Sequence, residues 1–527
     1  MALADGDLPG RIILPLITLG GIALWMSYYG FLGKRPRSKV QFCSGAGRLI
    51  EKYSVPLYEE KEKALSEVHD AKEDHFSQLP DDVLSSILAH LTVTEAVRTS
   101  VLSKRWKYLF ASMPTLEFRC LNMFGIGPSG HSRCPYYQQK LLKGVNQLLQ
   151  LYLGRKVANV EMTFCLGREF SSEFDQWMHS ISRLGVERLC LSFDCGTNHP
   201  IYDSNPIRDP NKLFKFSLEL LSPASSLTYL LLKNCVVQPR TGVHLNSVRT
   251  LSLSGVLLER GQLEGIFSSC SNLNRLMLDY CRLPDKLQIS GTVTSIVFFV
   301  CGGLEEIDLR AKNLRLFECI FFSKVRFYFS CVPMLENVMI NFRGATAMPY
   351  IFGDFASDLP AQVKSLTVKA DRSQINCFPT EIKMFRNLRE LTLVLVFTYE
   401  FDIVKISPIL GACPLLRYVH VIQARTERSV RESCIRPPLS PIYHTELKEV
   451  TFGGFYGTRA EIEFALYILR SAMVLEQMFL SPCFTCYSGS FTWEIEHHFL
   501  LAERERNSIE QELHGQAISR NAVVIIQ

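Results

Sequence analysis

Apolar and polar positions along this chain follow three successive patterns, and each predicts a different element. From residue 12 to residue 33 no side chain is charged. The run is close to the ~20 residues that a helix needs to cross a hydrocarbon core, so it predicts a transmembrane helix over residues 12–33. Pro15 lies near its start, where proline is tolerated, and Trp25, Tyr28 and Tyr29 sit toward its far end as an interfacial belt does. A cleaved signal peptide competes with this reading, but the run is long for one and no small-x-small site follows it.

The second pattern is helical. Leu84, Ile87, Leu88 and Leu91 recur at steps of three and four, which places them on one helix face with Val83 beside it. Pro80 suits the first turn, where its missing N–H costs nothing, and Asp81 and Asp82 add negative charge near the positive end of the helix. Thr92 or Thr94 can cap a second helix with Val97 and Val101 on one stripe, and Ser103 a third carrying Trp106 and Leu109. Three short helices bury little apolar area alone, so this bundle is expected to lean on a neighbour or a partner.

The third pattern fills the rest of the chain with apolar triplets of the form L-x-x-L-x-L. Clear copies begin at Leu227, Val248, Leu273 and Leu388, and looser ones at Val186, Leu304, Leu335, Val363, Leu416, Leu447 and Leu475. Each copy predicts a strand whose alternate residues enter a shared core, followed by a turn and a variable return. The residues between the core positions then face outward and form a candidate recognition surface. Examples are Tyr229, Leu231 and Lys233; Arg275, Met277 and Asp279; Glu306, Asp308 and Arg310; and Glu390 and Thr392. A β-sandwich of alternating strands is the competing architecture, and the constant triplet spacing argues against it.

Two runs join the helical region to a known family. His75-Phe76-Ser77-Gln78-Leu79-Pro80-Asp81-Asp82-Val83-Leu84, followed by Ser100-Val101-Leu102-Ser103-Lys104-Arg105-Trp106, resembles the F-box. The resemblance implies docking to the Skp adaptor of a Skp-cullin-F-box ubiquitin ligase, and through it to a cullin. It also implies a contact set of Leu79, Pro80, Leu84, Ile87, Leu88, Leu91, Leu102 and Trp106. Lys104 and Arg105 match the F-box pattern too, although basic residues there also suit a solvated edge. The plain alternative for the whole segment is a helical end cap with Trp106 as ordinary core.

The triplets starting at 227, 248 and 273 fall in the period of about 20–29 residues of leucine-rich repeats, which they resemble. Cys235, Cys281 and Asn313 stand near where that pattern ends. Longer gaps and two strand-like runs between residues 301 and 329 predict an irregular array. The stretch Leu447-Lys448-Glu449-Val450-Thr451-Phe452-Gly453-Gly454-Phe455-Tyr456-Gly457-Thr458, with Glu461, Leu466, Leu469, Ala472, Leu475, Glu476 and Met478, is similar to the FBD domain of plant F-box proteins. It predicts a strand, a glycine turn, a helix striped by Phe464, Ile468 and Ala472, and a further strand. Residues 503–506 belong to a following helix, and residues 523–526 to a last strand.

The expected architecture is therefore α/β: a small helical F-box bundle, then an irregular leucine-rich-repeat solenoid with an FBD-like C-terminal unit, preceded by an N-terminal transmembrane helix. The expected segments are an N-terminal tail (1–11), the span (12–33), a linker (34–74), the F-box (75–118), the repeat array (119–439), the FBD-like domain (440–482) and a C-terminal helix and strand (483–527).

Composition narrows the function. At 527 residues the chain exceeds one hydrophobic core, and 47% apolar content excludes general disorder. A net charge of +5, from 57 basic and 52 acidic residues, carries no footprint of a nucleic-acid binder. The 17 cysteines lie mostly in apolar runs, as buried free thiols do in a reducing compartment. Cys483 and Cys486 form one CxxC pair without two further ligands at zinc spacing, so no metal and no cofactor are expected. No phosphate-binding glycine loop, G-x-S-x-G elbow or H-E-x-x-H is present, which argues against an enzyme.

Lys34, Arg35, Arg37 and Lys39 follow the apolar span, whereas Arg11, Asp5 and Asp7 precede it. The positive-inside rule then puts the N-terminus outside and the bulk in the cytosol; without a span, the cytoplasm or nucleus is the alternative. The chain reads as a non-catalytic substrate receptor that presents an unidentified protein target to a ligase. The competing reading is a membrane-tethered repeat scaffold that recruits no ligase.

Overall fold

The computed structural model describes residues 78–527 apart from interior segments, the longest being 124–133, 195–212, 372–381 and 426–441. The span expected at residues 12–33 and the linker at 34–74 lie outside the described residues. Among those described, no helix is long and apolar enough to cross a membrane.

Three short helices open the described chain: α1 (Asp81–Ala89), α2 (Val93–Thr99) and α3 (Lys104–Ala111). Their ends are fixed as local chemistry dictates. Pro80 precedes α1 and puts Asp81 and Asp82 in its first turn. Of the two threonines, Thr92 is the cap of α2: its side chain accepts from the Glu95 N–H at 3.3 Å, while the Glu95 carboxylate accepts from the Thr92 N–H at 2.9 Å. That backbone hydrogen bond, reinforced by one from the Thr92 hydroxyl, holds the Glu95 carboxyl below its usual value. Ser103 caps α3 by accepting from the Trp106 N–H at 3.2 Å.

Directly after α3 the strand Thr115–Arg119 begins a parallel sheet of fifteen strands whose order follows the sequence. The first strand of the sheet thus starts inside the residues that resemble the F-box, and bundle and sheet share one continuous core. That neighbour supplies the burial which three short helices lack. All pairings in this sheet are parallel and, apart from a shift between Phe299 and Cys301, keep the register in which Leu230 aligns with Leu251, Leu276, Ile296 and Phe317. These aligned residues are fully or almost fully buried. Each such side chain contributes about 1.5–3 kcal/mol by leaving water, so the stacked row is the spine of the array.

One expectation fails instructively. The triplet at Leu304 does not enter the fifteen-stranded sheet. Its strand, Glu306–Leu309, is the middle of a separate three-stranded parallel sheet with Lys286–Ile289 and Arg326–Tyr328. Leu287, Ile307 and Phe327 of this second sheet belong to the same core as Ile296 and Phe317, so the core is walled on two sides. Either wall turns alternate residues inward, and one triplet pattern therefore serves both. Main-sheet strands on either side, Ser295–Cys301 and Leu316–Phe321, supply the aligned repeats instead.

Near the C-terminus, the strand Glu449–Gly453, the helix Arg459–Ser471 and the strand Gln477–Ser481 follow the expected FBD-like pattern. Gly454 turns between strand and helix at φ +74°, where a Cβ would collide with the carbonyl of Gln423. The expected helix (Glu503–Leu513) and closing strand (Val523–Ile526) are both present. An antiparallel hairpin, Phe484–Gly489 with Thr492–Glu496, was not expected. It brings Phe484 onto Val394 and Ile422, on the face of the main sheet turned away from the core.

Candidate functional site

Two surfaces carry the residues expected to bind partners. On the helical bundle, helix packing splits the expected adaptor set. Leu84, Leu88 and Trp106 face inward with Leu109 and Phe110 and are core, so three of the eight residues are withdrawn from any contact surface. Leu79, Ile87 and Leu91 are half-buried against that core. Pro80 is exposed, and Leu102 is 68% exposed in the turn between α2 and α3. Beside Leu102, Val101 is 72% exposed, and Tyr108 and Val83 also face outward. Helical spacing grouped Val101 with Val97 but gave no sign of its exposure, because the chain leaves the helix at Thr99.

Arg105 has a structural task. Its guanidinium pairs with Asp81 at 2.6 Å and also donates to the Leu79 carbonyl, strapping the start of α1 to α3. Val83, Val101, Leu102 and Tyr108 thus leave apolar surface exposed on the bundle, and exposed apolar residues can mark a contact surface.

The second surface is the concave side of the main sheet. Register aligns its outward residues into rows across the strands. One row runs Arg188, Tyr229, Thr250, Arg275 and Ser295; the next runs Cys190, Leu231, Ser252, Met277 and Val297; a third runs Ser192, Lys233, Ser254, Asp279 and Phe299. Tyr229, Leu231, Lys233, Arg275, Met277 and Asp279 are therefore brought together on one face, as expected. Glu390 and Thr392 share the same face farther along, beside Tyr418 and His420. Arg188 was missed, although it holds the offset from Val186 that Tyr229 holds from Leu227.

Glu306, Asp308 and Arg310 are not on this face. Glu306 and Asp308 belong to the second sheet, across the core, and Arg310 directly follows its middle strand, because the Leu304 triplet forms that wall. There Glu306 pairs with Lys286 at 3.0 Å and with Arg326 at 3.4 Å, and Arg310 pairs with Asp308 at 2.6 Å. Glu306 and Asp308 help line a cavity of about 430 Å³ with Arg260, Lys286 and Tyr328.

Two of the concave candidates are less accessible than expected. Tyr229 and Asp279 are only 6% exposed. Arg188 stacks on the Tyr229 ring at 4.3 Å, and burial pushes the Tyr229 hydroxyl well above its usual range. Asp279 accepts from the Ser254 hydroxyl at 3.0 Å through Oδ2, its Oδ1 has no partner, and burial raises its carboxyl well above the ordinary value. Desolvation lowers the Lys233 ammonium, with Asp194 opposing that shift. The cysteines whose side chains are described are free, and burial pushes Cys190 on this face up to about 12, which disfavours its thiolate.

Comparison with known proteins matches both the helical and the repeat region of the chain. A family model described as "At1g61320/AtMIF1, LRR domain" matches residues 150–510, more than half of the chain, and an F-box domain model matches residues 76–118. The FBD-associated F-box protein At5g56370 of Arabidopsis thaliana is 25% identical over 442 residues, covering 78% of this chain and 90% of that protein. F-box protein At5g03100, from the same plant, is 28% identical over 222 residues, which is 42% of this chain and 61% of the relative. F-box/FBD/LRR-repeat protein At1g13570, also from Arabidopsis thaliana, is 26% identical over 243 residues, 46% of this chain and 51% of the relative. The chain thus spans half to three-fifths of the length of the last two.

Proposed function

This chain belongs to the plant F-box/leucine-rich-repeat proteins, which are typically non-catalytic adaptors, and from that premise we propose that it is the substrate-receiving subunit of a Skp-cullin-F-box ubiquitin ligase. In this reading the helical bundle docks on the Skp adaptor and the concave sheet holds a protein target. Ubiquitin transfer is then promoted by proximity, since holding two reactants together replaces a bimolecular encounter. The observation that carries the proposal is the exposure of Pro80, Val101 and Leu102, apolar residues inside the F-box match.

Co-purification tests it. The full chain should retain the Skp adaptor, and Pro80→Ala combined with Leu102→Asp should remove most of it without lowering the melting temperature. If the wild-type chain retains no adaptor, the chain is a repeat scaffold without a ligase; if the double variant retains as much as the wild type, the adaptor does not dock on this patch. The reading also places the receptor at the cytosolic face of a membrane through residues 12–33. Carbonate extraction checks this: release into the supernatant removes the anchor from the proposal.

A further inference from the structure

Three cations on the concave face have no ion pair. Arg188, Lys233 and Arg275 stand on the strands Arg188–Ser192, Tyr229–Lys233 and Arg275–Asp279, with Thr250–Ser254 between the last two. Among the described residues no carboxylate pairs with any of them, and Arg275 Nε is buried without a hydrogen-bond partner. Some other cations on or beside this sheet are matched: Arg119 with Glu161 at 2.7 Å, Lys364 with Glu336 at 3.1 Å, and Lys448 with Glu476 at 2.6 Å.

Arg188 stacks on the Tyr229 ring and Lys233 feels Asp194 only beyond ion-pair distance; half-buried charge that lacks an ion pair is costly, and the cost is recovered when an anion arrives. Asp279, in the same stretch, makes no ion pair with them: the Ser254 hydroxyl donates to its Oδ2 and the residue is only 6% exposed. The spacing describes the missing partner. Arg188 and Arg275 stand three strands apart, ~14 Å at the usual strand separation, and Lys233 lies four residues from Tyr229, ~13 Å along the strand. Charges so placed suit single carboxylates spread along an extended chain better than one compact dianion.

We propose that the concave stretch from Arg188 to Asp279 binds an extended, carboxylate-bearing peptide segment of the target, whose Asp or Glu side chains pair with Arg188, Arg275 and Lys233. This deepens the receptor reading and rests on it.

The test uses the full chain purified with its Skp adaptor and a fluorescein-labelled peptide carrying Glu at every fourth residue, followed by anisotropy. The expected result is saturable binding that weakens at least tenfold in the Arg188→Gln, Lys233→Gln, Arg275→Gln variant. Arg260→Gln, which lies off this face and pairs with Asp285, should bind as the wild type does. Lys233→Gln alone serves if the triple variant loses its folded circular dichroism, and should weaken binding about threefold. Absence of binding, equal binding of the Lys-substituted peptide, preference for a phosphoserine version, or full binding by the variants overturns the proposal. Adaptor retention in the same preparation separates the outcomes: with adaptor bound and peptide unbound, this inference fails while the receptor reading stands.

Discussion

The bundle face and the concave sheet face are opposite solutions to docking. The bundle pairs its charge internally, Arg105 with Asp81, and leaves apolar groups such as Val101 and Leu102 in water. The sheet sends its leucines to the core and leaves cations half-buried and unpaired. Apolar docking depends on shape and area and is nearly indifferent to salt, whereas charge docking is directional and screened by ions. In the proposed receptor reading, one chain would therefore hold a fixed partner at one end and discriminate among partners at the other.

The comparison is broken or sharpened by five measurements, the largest effect first. Leu88→Ala should cost about 2–5 kcal/mol in urea unfolding, because Leu88 is fully buried; an unchanged midpoint would mean that the bundle has no inner face. Val101→Asp with Leu102→Asp should weaken adaptor binding by roughly 2–3 kcal/mol, with the melting curve moved by less than about 0.5 kcal/mol. Raising salt from 0.05 to 0.5 M should weaken the Glu peptide about tenfold and the adaptor by less than about twofold. Similar losses at both ends would erase the contrast.

Two smaller effects complete the set. Arg105→Ala should cost only about 0–1 kcal/mol, since both partners of its ion pair are partly exposed. Lys233→Met should slightly raise stability at neutral pH while weakening the peptide. The sign follows from burial: the folded pKa lies below 10.5, so the unfolded chain holds its proton more tightly, and wild-type stability should rise with pH as it passes through the folded pKa toward 10.5. A flat stability profile over that window, with Lys233→Met no more stable, would show that the ammonium is well solvated.

Much of this molecule was legible in the chain. Ser103 ahead of Trp106, the triplets at Leu227 and Leu273, the glycine turn at Gly454 and the closing strand at residues 523–526 all followed from local chemistry. Those signals act over a few residues, through caps, turns and alternation. The failures came where two surfaces share one pattern. Leu84 and Leu102 are both leucines at plausible contact positions, yet one is core and the other exposed. The Leu304 triplet looks like its neighbours and builds the opposite wall. The hairpin from Phe484 was missed because its partner surface, Val394 and Ile422, lies far away in sequence.

By itself, then, the sequence determined which segments become helices and strands, because periodicity and capping are properties of neighbouring residues. It also determined that stacked triplets must bury their leucines together, because no single strand can do so alone. Only the tertiary structure decided which apolar residues stay in water, which triplets line which wall, and that Arg188, Lys233 and Arg275 meet on one face without an anion. Those outcomes depend on register between strands and on what packs across the core, and both are set by residues tens of positions apart.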